Sequence, residues 1–243
     1  MTGFSRKLKG KKRIKNINIS SEKIINQAFL LHTQGNIKEA AKYYQYLINQ
    51  GVEDHRVFSN YGLIQKGLGK LKEAELSIRR AIELNPNYAL GHSNLGGILN
   101  SLGKLEEAEL SIRKAIELNP KEAELHSNLG GILNSLGKLE EAELSIRKAI
   151  ELNPEYANAH YNLGNILRDL KKLSKAAISL KKAIELKPNF FEAHRDLGIC
   201  LYLLKNIDSA LKYIEKAYYL DKKNRTNKLL LSIFQREQTI NDK

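Results

Sequence analysis

The residue types that could do binding chemistry recur at a fixed interval of 34 residues. The clearest column is made of asparagines, with an aspartate at its end: Asn26, Asn60, Asn94, Asn128, Asn162 and then Asp196. One carboxamide can accept a hydrogen bond from a peptide N–H and donate one to a peptide C=O. Such a column could hold the backbone of a polypeptide without reading its side chains. The alternative is a tolerated polar residue that duplication has copied.

Histidines form a second column at the same interval, His92, His126, His160 and His194. Zinc needs its nitrogen ligands about 2.0–2.1 Å from one shared ion, and repeats on successive layers lie too far apart for that. We therefore expect these histidines to pack in the core and predict neither a metal site nor a cofactor. The single cysteine, Cys200, stands where other repeats place isoleucine, so a buried thiol is expected rather than a nucleophile. With no Ser-His-Asp order, phosphate-binding glycine loop or CxxC pair, the chain is not expected to be an enzyme.

The 34-residue period extends over most of the chain. All four prolines obey it (Pro86, Pro120, Pro154 and Pro188), and the stretch from His92 to Pro120 returns unchanged as His126 to Pro154. A period of this length predicts stacked helical hairpins. The predicted units are 21–54, 55–88, 89–122, 123–156, 157–190 and 191–224, followed by a capping helix at 225–238 and a tail at 239–243.

Small residues recur in phase with the prolines. Glycine is the eighth residue of five units, at Gly62, Gly96, Gly130, Gly164 and Gly198, where two helices would approach closely. A further glycine column, Gly35, Gly69, Gly103 and Gly137, is followed by a polar residue and then an apolar one. This pattern is typical of a first helix that ends on a left-handed residue before the chain turns back.

A bulky residue, Leu-Gly, a hydrophobe, two spaced alanines and a proline together resemble the tetratricopeptide repeat. The unit that begins at Ala89 shows this pattern, although His92 stands where the family often has tryptophan. The resemblance implies an all-α fold, a right-handed α-α superhelix of six helical hairpins with a C-terminal capping helix. It also implies that the first helix of each hairpin lines a concave groove. The asparagine column is similar to the ladder in the repeats of O-linked N-acetylglucosamine transferases, where amides hold an extended polypeptide.

In the last two units, larger side chains occupy the positions of the first helices that face the predicted groove. The predicted groove residues are therefore the five asparagines with Tyr161, Asn165, Arg168, Arg195 and Tyr202. The carboxylate clamp that related repeats use for chaperone C-termini is not expected, because no three consecutive units supply its cations.

Charge is concentrated at the N-terminus. The net charge is +13, and the first twenty residues hold seven basic side chains and no acid. Residues 1–20 are predicted to be a basic disordered arm, either a solubilising tail or a contact for RNA, anionic lipid or an acidic partner. We expect no signal peptide and no transmembrane segment, and the single cysteine favours a cytoplasmic location.

Three functions remain open at this point. The favoured one is a non-catalytic scaffold that binds an extended segment of another protein in its groove, with no small-molecule substrate. The second is an adaptor that presents substrates to a separate glycosyltransferase or sulfotransferase. The third is binding of nucleic acid or an anionic surface through the basic arm.

Overall fold

The computed structural model describes residues 21–241, and every regular element in that range is an α-helix. The first helical stretch is α1 (21–33). The others are α2 (Ile37–Asn49), α3 (His55–Gly67), α4 (Leu71–Leu84), α5 (Ala89–Ser101), α6 (Leu105–Leu118), α7 (Ala123–Ser135), α8 (Leu139–Leu152), α9 (Ala157–Asp169), α10 (Leu173–Leu186), α11 (Phe191–Leu203), α12 (Ile207–Leu220) and α13 (Arg225–Asn241). The predicted all-α class is confirmed.

The helices pair into hairpins. We call the odd-numbered members α1 to α11 first helices and the even-numbered members second helices. Each of the first helices α3 to α11 packs against the second helix that follows it, and the connections are short turns of the kind that join antiparallel helices. All four prolines lie in turns after a second helix, where proline cannot continue it. The predicted architecture of helical hairpins is confirmed.

A left-handed residue ends each first helix from α1 to α11. Gly69, Gly103 and Gly137 all have φ of +74°, as the glycine pattern predicted. In the last two hairpins lysines take the same conformation, Lys171 at φ +61° and Lys205 at φ +65°. The sequence did not indicate these two, because lysine is not a residue that favours positive φ.

The eighth-residue glycines allow first and second helices to touch. A Cβ added to Gly130 would stand 2.5 Å from the side chain of Ile146 on the facing helix. Ile146 is fully buried, so it has little room to move. Glycine is thus required at this contact by packing rather than by backbone conformation.

The chain divides into two compact units between Leu118 and Asn119. Among the described residues the first unit holds α1 to α6, with a core that includes Ile25, Tyr44 and Leu47. The second holds α7 to α13 and buries its own core of aliphatic side chains. The finer division into six 34-residue units stays a prediction.

The last helix, α13, packs on α12. Its Phe234 is 3% exposed. The helix ends at Asn241 rather than at the predicted residue 238. No proline or glycine follows Gln238 to stop it, and Thr239 Oγ1 donates to Gln235 O at 3.0 Å within the added turn.

The basic arm at 1–20 lies outside the described residues. Among the helices that the structure describes, none combines the length and the apolar character that crossing a membrane requires.

Candidate peptide-binding groove

The first helices of each unit share one face. Besides their hairpin partners they contact one another: α3 touches α5 in the first unit, and α9 touches both α7 and α11 in the second. Cavities open instead between second helices, between α4 and α6 and between α8 and α10. First helices thus contact one another on one face, and clefts lie between second helices. We call the face formed by the first helices the first-helix wall.

The asparagine column differs in exposure along this wall. Asn26 and Asn128 are exposed, whereas Asn60, Asn94 and Asn162 are half-buried. These exposures leave amide groups of the column accessible to a ligand in both units.

One pair of neighbouring first helices is joined by an amide. Asn162 Nδ2 on α9 donates to Ser127 Oγ on α7 at 3.2 Å. The Ser127 residue is 2% exposed, so this rung lies at the base of the wall. Asn94 Nδ2 and Asn165 Oδ1 are buried and have no hydrogen-bond partner among the described residues.

Asp196, which ends the asparagine column, interacts with three of the predicted groove residues. Its buried carboxylate accepts a hydrogen bond from Tyr161 OH at 2.9 Å and another from Arg195 Nε at 2.8 Å. Arg168 Nη1 lies 3.9 Å away as a looser ion pair. The sequence did not single out Asp196 as a site residue, although its place in the column was the available signal.

Burial sets the chemistry of this cluster. It raises the pKa of Tyr161 to about 12, and the nearby Asp196 carboxylate acts in the same direction. Tyr161 is therefore a neutral donor at ordinary pH. Its ring also packs on Phe190, with centroids 4.8 Å apart. The cluster is a rigid polar patch rather than a set of free side chains.

Tyr202 is occupied by the chain itself. Its ring stacks on Phe234 of α13 with centroids 4.5 Å apart, and its hydroxyl donates to Glu237 Oε1 at 2.6 Å. The structure therefore places Tyr202 in the contact between α11 and α13, apart from the Asp196 cluster.

The expectation that the histidines pack in the core is right only for His194, which is buried, because the other three are half-buried. The column has a structural role that the sequence did not reveal. In all four copies Nε2 lies 2.9 Å from the proline carbonyl oxygen six residues earlier, as between His160 and Pro154. Because a carbonyl oxygen only accepts, Nε2 must carry the hydrogen. The residues that the structure describes contain no cluster of His, Cys, Asp and Glu able to hold a metal ion. Cys200 is buried, and burial raises the pKa of its thiol to about 11.

Family models of the tetratricopeptide repeat match the chain. One matches residues 62–123 and 179–225, and three more match 112–143, 130–167 and 157–190. Together they run without a gap over more than half of the sequence. The chain belongs to the tetratricopeptide repeat family, and the predicted resemblance is confirmed. No curated protein sequence matches it.

Solved structures show the same fold. The crystal structure of MamA has a TM-score of 0.59 at 26% identity, over 67% of this chain and 95% of that one. YrrB, described as a tetratricopeptide repeat protein with an unusual peptide-binding site, has a TM-score of 0.59 at 21% identity, over 81% and 99%. The pilF protein of Pseudomonas aeruginosa has a TM-score of 0.74 at 16% identity, over 91% and 99%. The last two likenesses concern the fold alone.

Proposed function

We propose that this protein is a non-catalytic scaffold that binds an extended segment of another protein along the first-helix wall. The observation that carries the proposal is the polar character of that wall where first helices touch. Asn128 is exposed on α7, and the rung between Asn162 and Ser127 joins α7 to α9. The exposed amides of Asn26 and Asn128 offer a ligand both donors and acceptors.

The spacing of the wall suits an extended chain. Packed helix layers repeat at roughly 10 Å, and an extended polypeptide rises about 3.3 Å per residue. One asparagine can then meet about every third residue of the ligand. Because each amide would contact peptide groups, binding along the asparagine column depends on the ligand's backbone more than on its side chains.

Selectivity for side chains belongs to the cluster around Asp196. Arg168 keeps 28% of its side chain exposed and holds Asp196 only loosely. Its guanidinium has donors to spare for an acceptor group on the ligand. We further propose a cytoplasmic location, which the single cysteine supports. Binding of an anionic partner by the basic arm stays a prediction. The same holds for a role in presenting substrates to a separate transferase.

The proposal is tested by replacing asparagines of the column with alanine and measuring the affinity for a bound segment. A partner is first identified by co-purification with the intact chain and mass spectrometry, and its binding segment is made as a labelled peptide. The variant Asn94→Ala, Asn128→Ala, Asn162→Ala should lower the affinity by about tenfold or more, since each lost hydrogen bond contributes about 0.5–1.5 kcal/mol. Fluorescence anisotropy measures the change, and circular dichroism checks that the fold is kept.

The matched control changes three exposed turn asparagines, Asn87, Asn119 and Asn189, to alanine in the same way. Its affinity should equal that of the unchanged protein. A peptide with N-methylated backbone amides should bind more weakly than one with substituted side chains. Equal affinity for the column variant and the control would mean that the wall is not the binding surface.

A further inference from the structure

The outer face of the second unit carries an apolar cleft. A cavity of about 670 Å³ opens between the second helices α8 and α10, above the first helix α9. Ile150, Leu163 and Ile178 supply its apolar lining, and Ile178 is 68% exposed. A volume of this size lies within the usual range of binding sites in proteins. We call this feature the outer cleft.

The first unit has the same feature at the same repeat positions, but smaller. Its cavity of about 380 Å³ lies between α4 and α6 and is lined by Ile82, Leu95 and Leu110. Serine lines both cavities at equivalent sites, Ser111 in the first unit and Ser179 in the second. A small side chain at this site leaves the space between second helices open.

The two cavities differ in the charges at their edges. In the first unit Arg79 lies 2.9 Å from Glu75 and 2.6 Å from Glu107. Lys114 lies 2.8 Å from Glu117. The cations at this edge are thus neutralised by carboxylates of their own unit.

In the second unit a pairing that α6 has in the first unit, between Glu109 and Arg113 at 2.8 Å, is missing. On α8, Glu143 holds Arg147 four residues later at 2.7 Å. On α10 the equivalent carboxylate is replaced by Ala177, so Lys181, which lines the outer cleft, has no acidic partner among the described residues. The two carboxylates that line the cleft, Glu151 and Glu185, pair with Lys148 at 2.7 Å and with Lys182 at 3.5 Å. Lys181 therefore adds a positive charge at the cleft edge that these pairs do not offset.

A second lysine strengthens this positive edge. Lys175 is exposed on α10 at the position that Glu107 occupies on α6, and no carboxylate among the described residues pairs with it. Over their whole lengths α6 carries four carboxylates and two cations, whereas α10 carries one carboxylate and three cations. Two equivalent helices thus present opposite charge.

We propose that the outer cleft is a second docking surface, and that its occupant is an acidic amphipathic helix of a partner protein. The apolar side of the helix would enter between Ile150 and Ile178, and carboxylates beside that stripe would pair with Lys181 and Lys175. This is the helix-in-groove mode of recognition. A polynucleotide fits less well, because its charged backbone would leave the aliphatic lining unused.

The surface is independent of the first-helix wall. The cleft is walled by second helices and lined by residues that take no part in the asparagine column. Either proposal can therefore fail while the other stands.

The test uses a designed probe and the full chain. The probe is a labelled peptide of about 18 residues, which makes five helical turns, with leucine at helical spacing and glutamate elsewhere. We expect it to bind, and the double variant Ile178→Asp, Lys181→Glu should weaken binding by about tenfold or more, since one apolar contact and one charge pair are lost. Both side chains are exposed or at the cleft edge, so circular dichroism should be unchanged.

The matched control is Leu110→Asp with Arg113→Glu, the equivalent repeat positions in the first unit, and it should leave affinity for the probe within about twofold. The asparagine-column variant should bind the probe like the unchanged protein. The proposal is overturned if the double variant binds normally, if the control loses as much, or if a peptide with lysine for glutamate binds equally well. It is also overturned if an oligouridylate displaces the probe and binds both Ile178→Asp and the unchanged protein with equal affinity.

Discussion

At the scale of single residues, the histidine column shows how a repeated side chain can serve the turn rather than the core alone. Each imidazole donates to the carbonyl oxygen of the proline in the turn before its helix. That oxygen cannot be used by the helix that has just ended, so the side chain satisfies it. A hydrogen bond of this kind contributes about 1 kcal/mol.

His194 should make the stability of the protein depend on pH. Burial lowers the pKa of His194, and nearby Lys216 acts in the same direction. The unfolded chain, with a histidine pKa of about 6.5, then binds the proton more readily than the folded one. Stability should fall as the pH drops below that value.

Urea unfolding at several pH values between neutrality and mild acid measures this effect. The variant His194→Gln should lose less stability on acidification than the unchanged protein, because one proton-binding difference is removed. An identical loss in both proteins would show that His194 does not contribute.

Two adjacent glycines on α7 should respond to alanine in opposite ways. At Gly130 an added Cβ would meet Ile146 at 2.5 Å, whereas at Gly131 it would meet nothing within 4 Å. Gly130→Ala should cost about 1–3 kcal/mol through overpacking. Gly131→Ala should stabilise by about 0.5–1 kcal/mol, because alanine favours the helix.

Thermal or urea unfolding of these two variants is sufficient to compare them. Since Gly131 faces the first-helix wall, Gly131→Ala should also weaken binding of the partner segment if the ligand's backbone approaches closely. A loss of stability in Gly131→Ala would contradict the prediction.

At the scale of elements, salt bridges connect one hairpin to the next. Glu75 accepts from Arg79 of its own helix and also from Lys104 in the turn before α6. Hydrogen bonding to Lys104 is the main cause that lowers the pKa of Glu75. Glu143 repeats the arrangement with Arg147 and Lys172. The link to the next hairpin was missed, because it joins residues that are 29 apart.

The ends of the first helices offer a direct test of backbone strain. Lys171 holds φ at +61° where the earlier hairpins have glycine. A left-handed conformation costs about 1–2 kcal/mol for a residue with a Cβ. Lys171→Gly should therefore raise stability by about 1 kcal/mol, measured by urea unfolding.

The control for that variant is Lys175→Gly, inside α10. Glycine there should lower stability by about 1 kcal/mol, because the conformation is already helical. A decrease in both variants would mean that the turn at Lys171 is not strained.

At the scale of the whole molecule, the described residues form two compact units, and each buries its own core. The second unit has seven helices among the described residues, α7 to α13. Residues 119–243 produced alone should keep a helical circular dichroism spectrum and unfold cooperatively in urea. A broad, non-cooperative transition would show that this unit needs the rest of the chain.

The sequence alone determined the class of fold, the hairpins and most of the turn glycines. These features depend on contacts between residues near in the chain, and a period of 34 repeats the same local solution. The groove asparagines also follow from that period, although their role is a proposal.

Only the tertiary structure decided which polar groups meet. Asp196 collects Tyr161 from a helix 35 residues away. Tyr202 stacks on Phe234 of α13. Lys181 at the outer cleft has no acidic partner among the described residues, because Ala177 stands where the preceding repeat has glutamate. None of these contacts follows from the repeat pattern. Each arises where one copy differs from the others and where a neighbouring helix determines which groups the changed position can contact.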